Sequence, residues 1–466
     1  MFSINLLHQD LDINQLKALS SLDGRYSEKI ASLTQDLSES ALIKYRLTVE
    51  IKYLISLSKV GIVRKLTQKE ISTLLSLVTD ISDLELLQIK ALEDKVRHDV
   101  KSVELFLRDK LKNTSLNDII EKLHYCITSE DINNISYRLM TKAALEKILI
   151  ELKDLILKIL KFSNEHKSLV IMARTHGQDA VPTTLGKEYA VFAMRLYKVY
   201  EKISKIELTG KLNGAIGGWN AHVFAEPQID WLKFSQKFIS SLGLEFNQFT
   251  TQINQFDDLV DLLSQFHLLN GILLDFNQDC WRYISDGWLI QKVDLNAVGS
   301  STMAQKVNPI NFENSEGNAQ IANGLIEVLM RTLPISRLQR DLSNSTEIRN
   351  LGSIFGHELL VIKSAINGLA SISPDKTTIK EYLNSNWAVL AEPLQILLRK
   401  NNIENAFEIV KSKLMGKKTS QTEWYEIIKS LKIDEKIKTE ALKLKIQDYT
   451  GYCSKLVQEA NSQIKF

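Results

Sequence analysis

The sequence predicts an all-α protein built of long helices packed side by side, and three observations carry that reading. Proline is scarce, with six among 466 residues and the first at Pro182, against roughly 5% in ordinary proteins. Glycine is low as well, at 19, so few residues interrupt a helix. Apolar residues recur at steps of three and four, and period-two strand alternation is rare.

The helical segments follow in order along the chain. The stretch around 40–60 comes first. Leu145, Ile148, Leu152, Leu155 and Ile159 then form an apolar stripe, with Lys147, Lys153, Asp154 and Lys158 mostly between them, the pattern of an amphipathic helix. A segment over 184–208 reads the same way. Leu259, Leu262, Leu263, Phe266, Leu269, Leu273 and Phe276 form a run with little charge after Asp261, which predicts a helix inside a bundle. A last segment covers 316–332. Turn signals cluster at Asp23-Gly24, at 213–218, near Pro227, at 296–309 and at Ser373-Pro374. Polar and glycine-rich links between long helices are where functional loops sit.

Composition bounds the function classes. Length allows about two to four domains and a core that needs no staples. The 58 basic and 56 acidic residues leave a formal charge of +2, which offers no footprint for nucleic acid or a membrane surface. Three dispersed cysteines, Cys126, Cys280 and Cys453, show no ligand or disulfide spacing and fit a reducing cytoplasm. The first ten residues lack the basic and apolar regions of a signal peptide, and no apolar run approaches the ~18 residues of a membrane span. The expected location is therefore cytoplasmic, with no membrane partner.

The loop Gly299-Ser300-Ser301-Thr302-Met303-Ala304-Gln305-Lys306-Val307-Asn308-Pro309 is the most informative segment. By composition it is either a plain helix–helix connection or a lid that brings a hydroxyl, an ammonium and an amide to a substrate. Its residue order resembles the GSSxMPxKxN signature of the fumarase/aspartase superfamily at Gly299, Ser300, Ser301, Met303, Lys306 and Asn308. Ala304 stands where that superfamily usually has proline. The continuation through Asn314, Glu316 and Asn318 resembles the bacterial adenylosuccinate lyases most closely, and the resemblance runs from about Leu19 to about Tyr452. It implies a three-domain fumarase/aspartase-like fold with a central long-helix bundle. With helix-poor seams near 118 and 370, the expected division is an N-terminal helical domain over 1–118, the bundle with its catalytic loop over 119–369, and a C-terminal helical domain over 370–466.

Other segments gain meaning beside that loop. Thr175-His176-Gly177-Gln178 places a histidine between helical segments, as a helix cap or as an acid or base near neutral pH. It resembles the family's THGQ segment, which implies that His176 is the general acid; Asp179 replaces the family's usual proline. Asp23-Gly24-Arg25-Tyr26 reads alone as a turn, while the resemblance assigns Arg25 and Tyr26 to nucleotide binding, for which Arg25 offers a phosphate-matching fork. In Arg97-His98-Asp99-Val100, His98 and Asp99 match a substrate-contacting segment and Arg97 departs from the family's asparagine. Thr128-Ser129-Glu130-Asp131 reads as a helix N-cap, and a helix start also binds anions; the resemblance assigns Thr128 and Ser129 to the substrate site. Gln252 matches a substrate-contacting glutamine, and Phe256 departs from the pattern just after it. Asn314 belongs to the loop's continuation. Arg340, Ser345, Thr346 and Arg349 match the nucleotide-phosphate segment. His222 is a weaker site candidate and His267 reads as a satisfied core histidine. No metal-ligand spacing, phosphate loop or dinucleotide fingerprint occurs, so no cofactor is expected.

The chemistry this resemblance implies is β-elimination of fumarate from a succinyl group on nitrogen, in adenylosuccinate (giving AMP) and in SAICAR (giving AICAR). Ser300 is the implied base, with Ser301 open for the same role, and Lys306 and Asn308 are implied to bind the substrate. The superfamily also implies a homotetramer with shared active sites, and the lightly charged 259–276 helix is the one expected at such an interface. Two readings compete. One is another superfamily member, of the argininosuccinate lyase or fumarase type; the other is a helical scaffold without chemistry. Arg25-Tyr26 and the Ser345–Arg349 segment favour a nucleotide. Ser300, Lys306, Asn308 and His176 together favour catalysis.

Overall fold

The computed structural model describes residues 13–292, 303 and 305–466. Among them the longer helices of the N-terminal part are α1 (Glu39–Lys59), α2 (Gln68–Thr79), α3 (Asp83–Val96) and α4 (Asp99–Leu111). The long helices α5 (Ser129–Glu165), α6 (Leu185–Ile203), α7 (Asp257–Ser285), α8 (Ile310–Thr332) and α9 (Leu351–Ala370) follow, then α10 (Lys376–Asn384) and a run of short C-terminal helices. Compact packing divides the chain into two units. Unit 1 comprises residues 1–150, 202–270 and 318–360; unit 2 comprises 151–201, 271–317 and 361–466.

The predicted stripes are the core. Ile148, Leu152, Leu155 and Ile159 of α5 are fully shielded from solvent, and Leu145 nearly so. Each fully buried aliphatic chain contributes roughly 1.5–3 kcal/mol. Leu259, Leu262, Leu263, Phe266, Leu269, Leu273 and Phe276 of α7 are also buried within the single chain. These seven side chains lie in the chain's own core, while Leu268 of the same helix is 43% exposed. His267 on the same helix is not a core residue. Its side chain is 43% exposed and its Nε2 lies 3.1 Å from Glu327 Oε1.

Local signals set the helix ends. Thr67 with Glu70 and Ser82 with Glu85 form capping boxes that open α2 and α3, each cap contributing about 1 kcal/mol. The start of α5 uses a carboxylate: the Thr128 N–H donates to Asp131 Oδ2 at 2.8 Å.

Three two-stranded sheets occur among the described residues. The antiparallel pair β1 (Val170–Thr175) and β2 (Gln178–Thr184) joins α5 to α6. A short parallel pair is made by β3 (Thr209–Gly210) and β4 (Glu245–Phe246). The third pairs β5 (Leu289–Gln291) with β6 (Ile372–Pro374), antiparallel. The last one corrects the turn expected at Ser373-Pro374. A proline at the end of a two-stranded ribbon loses no interior ladder bond, so strand is allowed there.

Polar groups interrupt the apolar packing in both units. In unit 1, Asn270 of α7 donates through Nδ2 to Glu358 Oε1 of α9 at 2.6 Å and to Asn323 Oδ1 of α8 at 3.0 Å. Glu358 is fully buried, and burial pushes its carboxyl up to about 8 although the Asn270 hydrogen bond acts the other way. In unit 2, Asn277 Nδ2 donates to Ser315 Oγ at 2.9 Å, and that hydroxyl donates to the Val361 carbonyl at 2.8 Å.

A carboxyl whose folded value is raised carries its full share of stability below the unfolded value. That share is lost as pH rises toward the folded value. Glu358 therefore stays protonated in the folded chain and weakens it progressively from about pH 4.5 to about pH 8. Glu358→Gln is expected to flatten the fall in thermal midpoint across that range. An unchanged slope in melting curves from pH 5 to about 8 would contradict the assignment.

Candidate active site

Unit 1 holds an open cleft of about 710 Å³, lined by Arg97, His98, Asp99, Ser129, Gln252, Arg340, Ser345 and Arg349 among the expected residues. Glu93, Asp94, Asn133 and Leu342 complete the lining. The volume falls within the ~300–1,000 Å³ of small-molecule sites.

Helix ends deliver several of these side chains. Arg97 ends α3 in the left-handed region at φ +55°, where asparagine, the family's usual residue, is the better tolerated type. That turn lets α4 begin at once, with His98 as its N-cap: the ring Nδ1 accepts the Lys101 N–H at 3.2 Å. Because Nδ1 accepts, the neutral ring carries its proton on Nε2. Asp99 opens the helix and takes the Val100 N–H at 2.8 Å.

Asp99 is the meeting point of two arginines. Arg46 of α1, almost wholly buried, donates to its Oδ2 and, through Nε, to Asn133 Oδ1 at 2.8 Å. Arg349 Nη2 lies 3.7 Å from the same Asp99 oxygen. Burial opposes the charge of Asp99, but Arg46, the Val100 N–H, His98 and Arg349 together hold its carboxyl below the ordinary range.

The first turn of α5 forms another part of the lining. Ser129 and Asn133 face the cleft, while Glu130 is buried between them. Burial raises its carboxyl, against the pull of Arg340, Lys211 and Arg138. Arg340 Nη2 lies 3.5 Å from Glu130 Oε2, and its Nη1 donates to Gln252 Oε1 at 3.2 Å. Gln252 in turn donates to the Ala215 carbonyl at 2.9 Å, which ties the glycine-rich 213–218 segment to the cleft. Asp131, fully buried, forms an ion pair with Lys211 at 3.1 Å and accepts the backbone N–H groups of Asn213 and Gly214 at 3.1 Å.

The other expected residues lie elsewhere. Arg25 lines a separate cleft of about 520 Å³ in unit 1 with Gln15, Ser20 and Gly24. Tyr26 precedes the short helix Ser27–Ile30. Thr128 sits at the start of α5, and Thr346 is on the short helix Ser343–Ile348. Phe256 is buried with its ring 4.9 Å from the Arg138 guanidinium carbon. His222 is buried against Trp231 at 4.7 Å. Neither of its ring nitrogens has a partner among the described residues. Burial depresses its pKa to about 4, so it is neutral at physiological pH.

In unit 2, His176 is the tip of the β1–β2 hairpin, not a helix cap. His176 at φ +53° and Gly177 at φ +71° are the two turn residues, the conformation that matches strand twist in a two-residue hairpin. A histidine tolerates the left-handed region better than most side chains, and the turn leaves its ring exposed. Lys306 is exposed, with its backbone N–H on the Met303 carbonyl at 3.0 Å. Asn308 follows two residues on. Asn314 on α8 donates to Ser364 Oγ at 3.1 Å. Ser300, Ser301 and Ala304 lie outside the described residues. Among the described residues no three His, Cys, Asp or Glu side chains converge as metal ligands.

The sequence reading assigned neither Glu93, Asp94, Asn133 and Leu342 of the lining nor Arg46 and Asp131 behind it to the unit 1 site. Arg46 and Asp131 look like solvated charges on helices, and only Asp131 carried a signal, at the third helical position where capping carboxylates sit.

Comparison with known proteins adds to this geometry. Residues 24–324 match the family model described as lyase, and residues 336–450 match that of the adenylosuccinate lyase C-terminal region. The chain is 40% identical over 453 residues to the adenylosuccinate lyase of Legionella pneumophila (strain Corby), covering 96% of this chain and 99% of that one. It is 37% identical over 454 residues to that of Escherichia coli (strain K12), covering 96% and 100%. Among solved structures, the fumarate lyase of Mesorhizobium sp. BNC1 superposes with a TM-score of 0.76 at 14% identity, covering 93% of this chain and 98% of the other. The 3-carboxy-cis,cis-muconate lactonizing enzyme of Pseudomonas putida gives 0.76 at 18% identity, covering 93% and 96%. At those identities the solved structures speak for the fold.

The Arg46–Asp99 pair generates a stability prediction. Arg46→Met leaves Asp99 without its main counter-charge, and breaking such a buried pair costs about 3 kcal/mol. A carboxyl held low in the folded state contributes stability above its unfolded value and loses it as pH falls. The deficit, read from urea unfolding midpoints, is expected to be largest at neutral pH and to shrink toward acid. A pH-independent deficit would contradict this.

Proposed function

The chain belongs to the adenylosuccinate lyase family of the fumarase/aspartase superfamily, and on that premise we propose that it releases fumarate from adenylosuccinate, leaving AMP, and from SAICAR, leaving AICAR. It is a lyase of purine biosynthesis. The observation that carries the substrate class is the unit 1 cleft, where Arg97, Arg340 and Arg349 face one small-molecule volume with Ser129 and Ser345. Guanidinium groups match phosphate oxygens in pairs, and the helix start at Ser129 favours negative charge.

The reaction needs a proton removed from the methylene carbon of the succinyl group and the neighbouring carbon–nitrogen bond broken. The electron pair left on carbon becomes the new double bond of fumarate as the nitrogen departs with its own pair. The departing nitrogen must gain a proton. We assign that proton to His176, exposed at its hairpin tip, because an imidazole is the side chain best suited to acid–base work near neutral pH. Ser300 is the assigned base, with Ser301 as the other candidate. A serine hydroxyl becomes a base only where positive charge and N–H dipoles stabilise its anion, and Lys306 supplies such charge. Lys306 also suits the charge building on the substrate carboxylate during proton removal. Asn308 and Asn314 complete the assigned substrate contacts of this segment. Arg25, Tyr26, Thr128 and Thr346 are assigned to nucleotide binding by the same family pattern.

The assembly on this reading is a homotetramer with sites shared between copies, working in the cytoplasm, where Cys126, Cys280 and Cys453 remain free thiols.

Two measurements check these assignments. Ser300→Ala and His176→Ala are each expected to lower fumarate release by well over ~100-fold, with the circular dichroism spectrum unchanged. Near-normal release by a folded variant removes that residue from the chemistry. Light scattering of the wild-type protein is expected to give a mass of four chains, and a monomeric mass refutes the shared site.

A further inference from the structure

The histidine hairpin is held by a side-chain clamp that the proposed chemistry has not used. Asp179 lies on β2, one residue beyond the turn-closing pair Thr175–Gln178. Its carboxylate is mostly shielded from solvent. Each of its oxygens takes one strong donor from the C-terminal part of unit 2. Tyr382 of α10 donates its hydroxyl to Oδ1 at 2.7 Å, and Asn386 donates through Nδ2 to Oδ2 at 2.9 Å. Across the hairpin, Arg174 of β1 pairs with Asp286. Its guanidinium carbon lies 4.5 Å from the Trp288 ring and 5.4 Å from the Tyr382 ring. Arg174 Nε reaches only to 4.0 Å from Asp179 Oδ1, so Tyr382 and Asn386 are the principal partners of Asp179.

We infer that Asp179, anchored by Tyr382 and Asn386, is a positioning residue that fixes the hairpin tip carrying His176. Three features support this. A two-residue turn transmits the placement of its closing pair directly to its tip. His176 has φ +53°, a region that is unfavourable for residues other than glycine and persists where the surroundings impose it. The anchor is also bidentate, so it defines direction as well as distance. The inference rests on the proposed role of His176 as the acid.

The test is a kinetic cycle with fumarate release as the readout. Asp179→Ala is expected to lower kcat about 10- to 100-fold, as misplacement of a catalytic group does, with KM changed by less than about threefold. Asp179→Asn should restore kcat to within about threefold. Its Oδ1 still accepts from Tyr382, and its Nδ2 can donate to Asn386 Oδ1, which has no partner among the described residues, once that amide turns over. In a His176→Ala background, adding Asp179→Ala should cost nothing further, because the residue acts through the imidazole. Should Asp179→Ala fail to fold, Tyr382→Phe removes one anchor alone and should lower kcat by about threefold to tenfold at unchanged KM. Wild-type kcat in a folded Asp179→Ala overturns the inference. So does an equal loss in Asp179→Asn, or a full further loss in the His176→Ala background. Wild-type turnover by His176→Ala alone instead overturns the assignment of the acid, a separate failure.

Discussion

The cleft of unit 1 depends on one buried carboxylate. Asp131 and Lys211 are both fully removed from solvent, and two such charges are tolerated inside a protein only when each finds a partner and further hydrogen bonds. Asp131 meets that condition with the Lys211 ammonium and the backbone N–H groups of Thr128, Asn213 and Gly214. Lys211 meets it with Asp131 and the Gly214 carbonyl. The result joins the first turn of α5 to the glycine-rich segment after β3. Ser129, Glu130 and Asn133 take their directions from that turn, and the same segment receives Gln252 through Ala215. Gln252 and Glu130 then hold Arg340. A chain of pairwise contacts thus runs from a buried ion pair to an arginine at the cleft.

Buried charge recurs in unit 1 with different outcomes. Asp99 stays ionised because Arg46, the Val100 N–H, His98 and Arg349 together outweigh its burial. Among the described residues Glu358 has only the Asn270 amide as donor, and burial pushes it toward neutrality. Glu130 is raised by burial even with the Arg340 guanidinium 3.5 Å away, so the outcome turns on how many favourable partners each carboxyl finds against its burial. Unit 2 uses charge for another end. There Asp286 and Asp179 flank Arg174 and brace a short hairpin against aromatic rings.

Much of the fold was legible because long helices leave a loud periodic signal. The stripes at 145–159 and 259–276 are buried as the spacing requires. Short strands leave no such signal. Val-Ile-Met-Ala-Arg-Thr of β1 does not alternate, and His176-Gly177 lacks the asparagine that usually marks a two-residue turn. Ser373-Pro374 carried a turn's residues but lies on the edge of a ribbon. The cleft is a similar mixture. Arg97, His98, Asp99, Ser129, Gln252, Arg340, Ser345 and Arg349 came from recognised segments, and they line one volume. Arg46 came from none, and Asp131 was read only as part of a helix N-cap, because a charged residue on a helix looks solvated until tertiary packing buries it. Asp179 was visible as a departure from a familiar pattern, but its partners lie about two hundred residues away in the chain.

The substrate class is tested most directly by incubating the purified wild-type protein with adenylosuccinate and, separately, with argininosuccinate, and quantifying fumarate and the accompanying product. A nucleotide-specific lyase gives fumarate and AMP in equal amounts from the first and nothing from the second. Fumarate from argininosuccinate with none from adenylosuccinate would contradict the reading of the arginine-lined cleft as a nucleotide site.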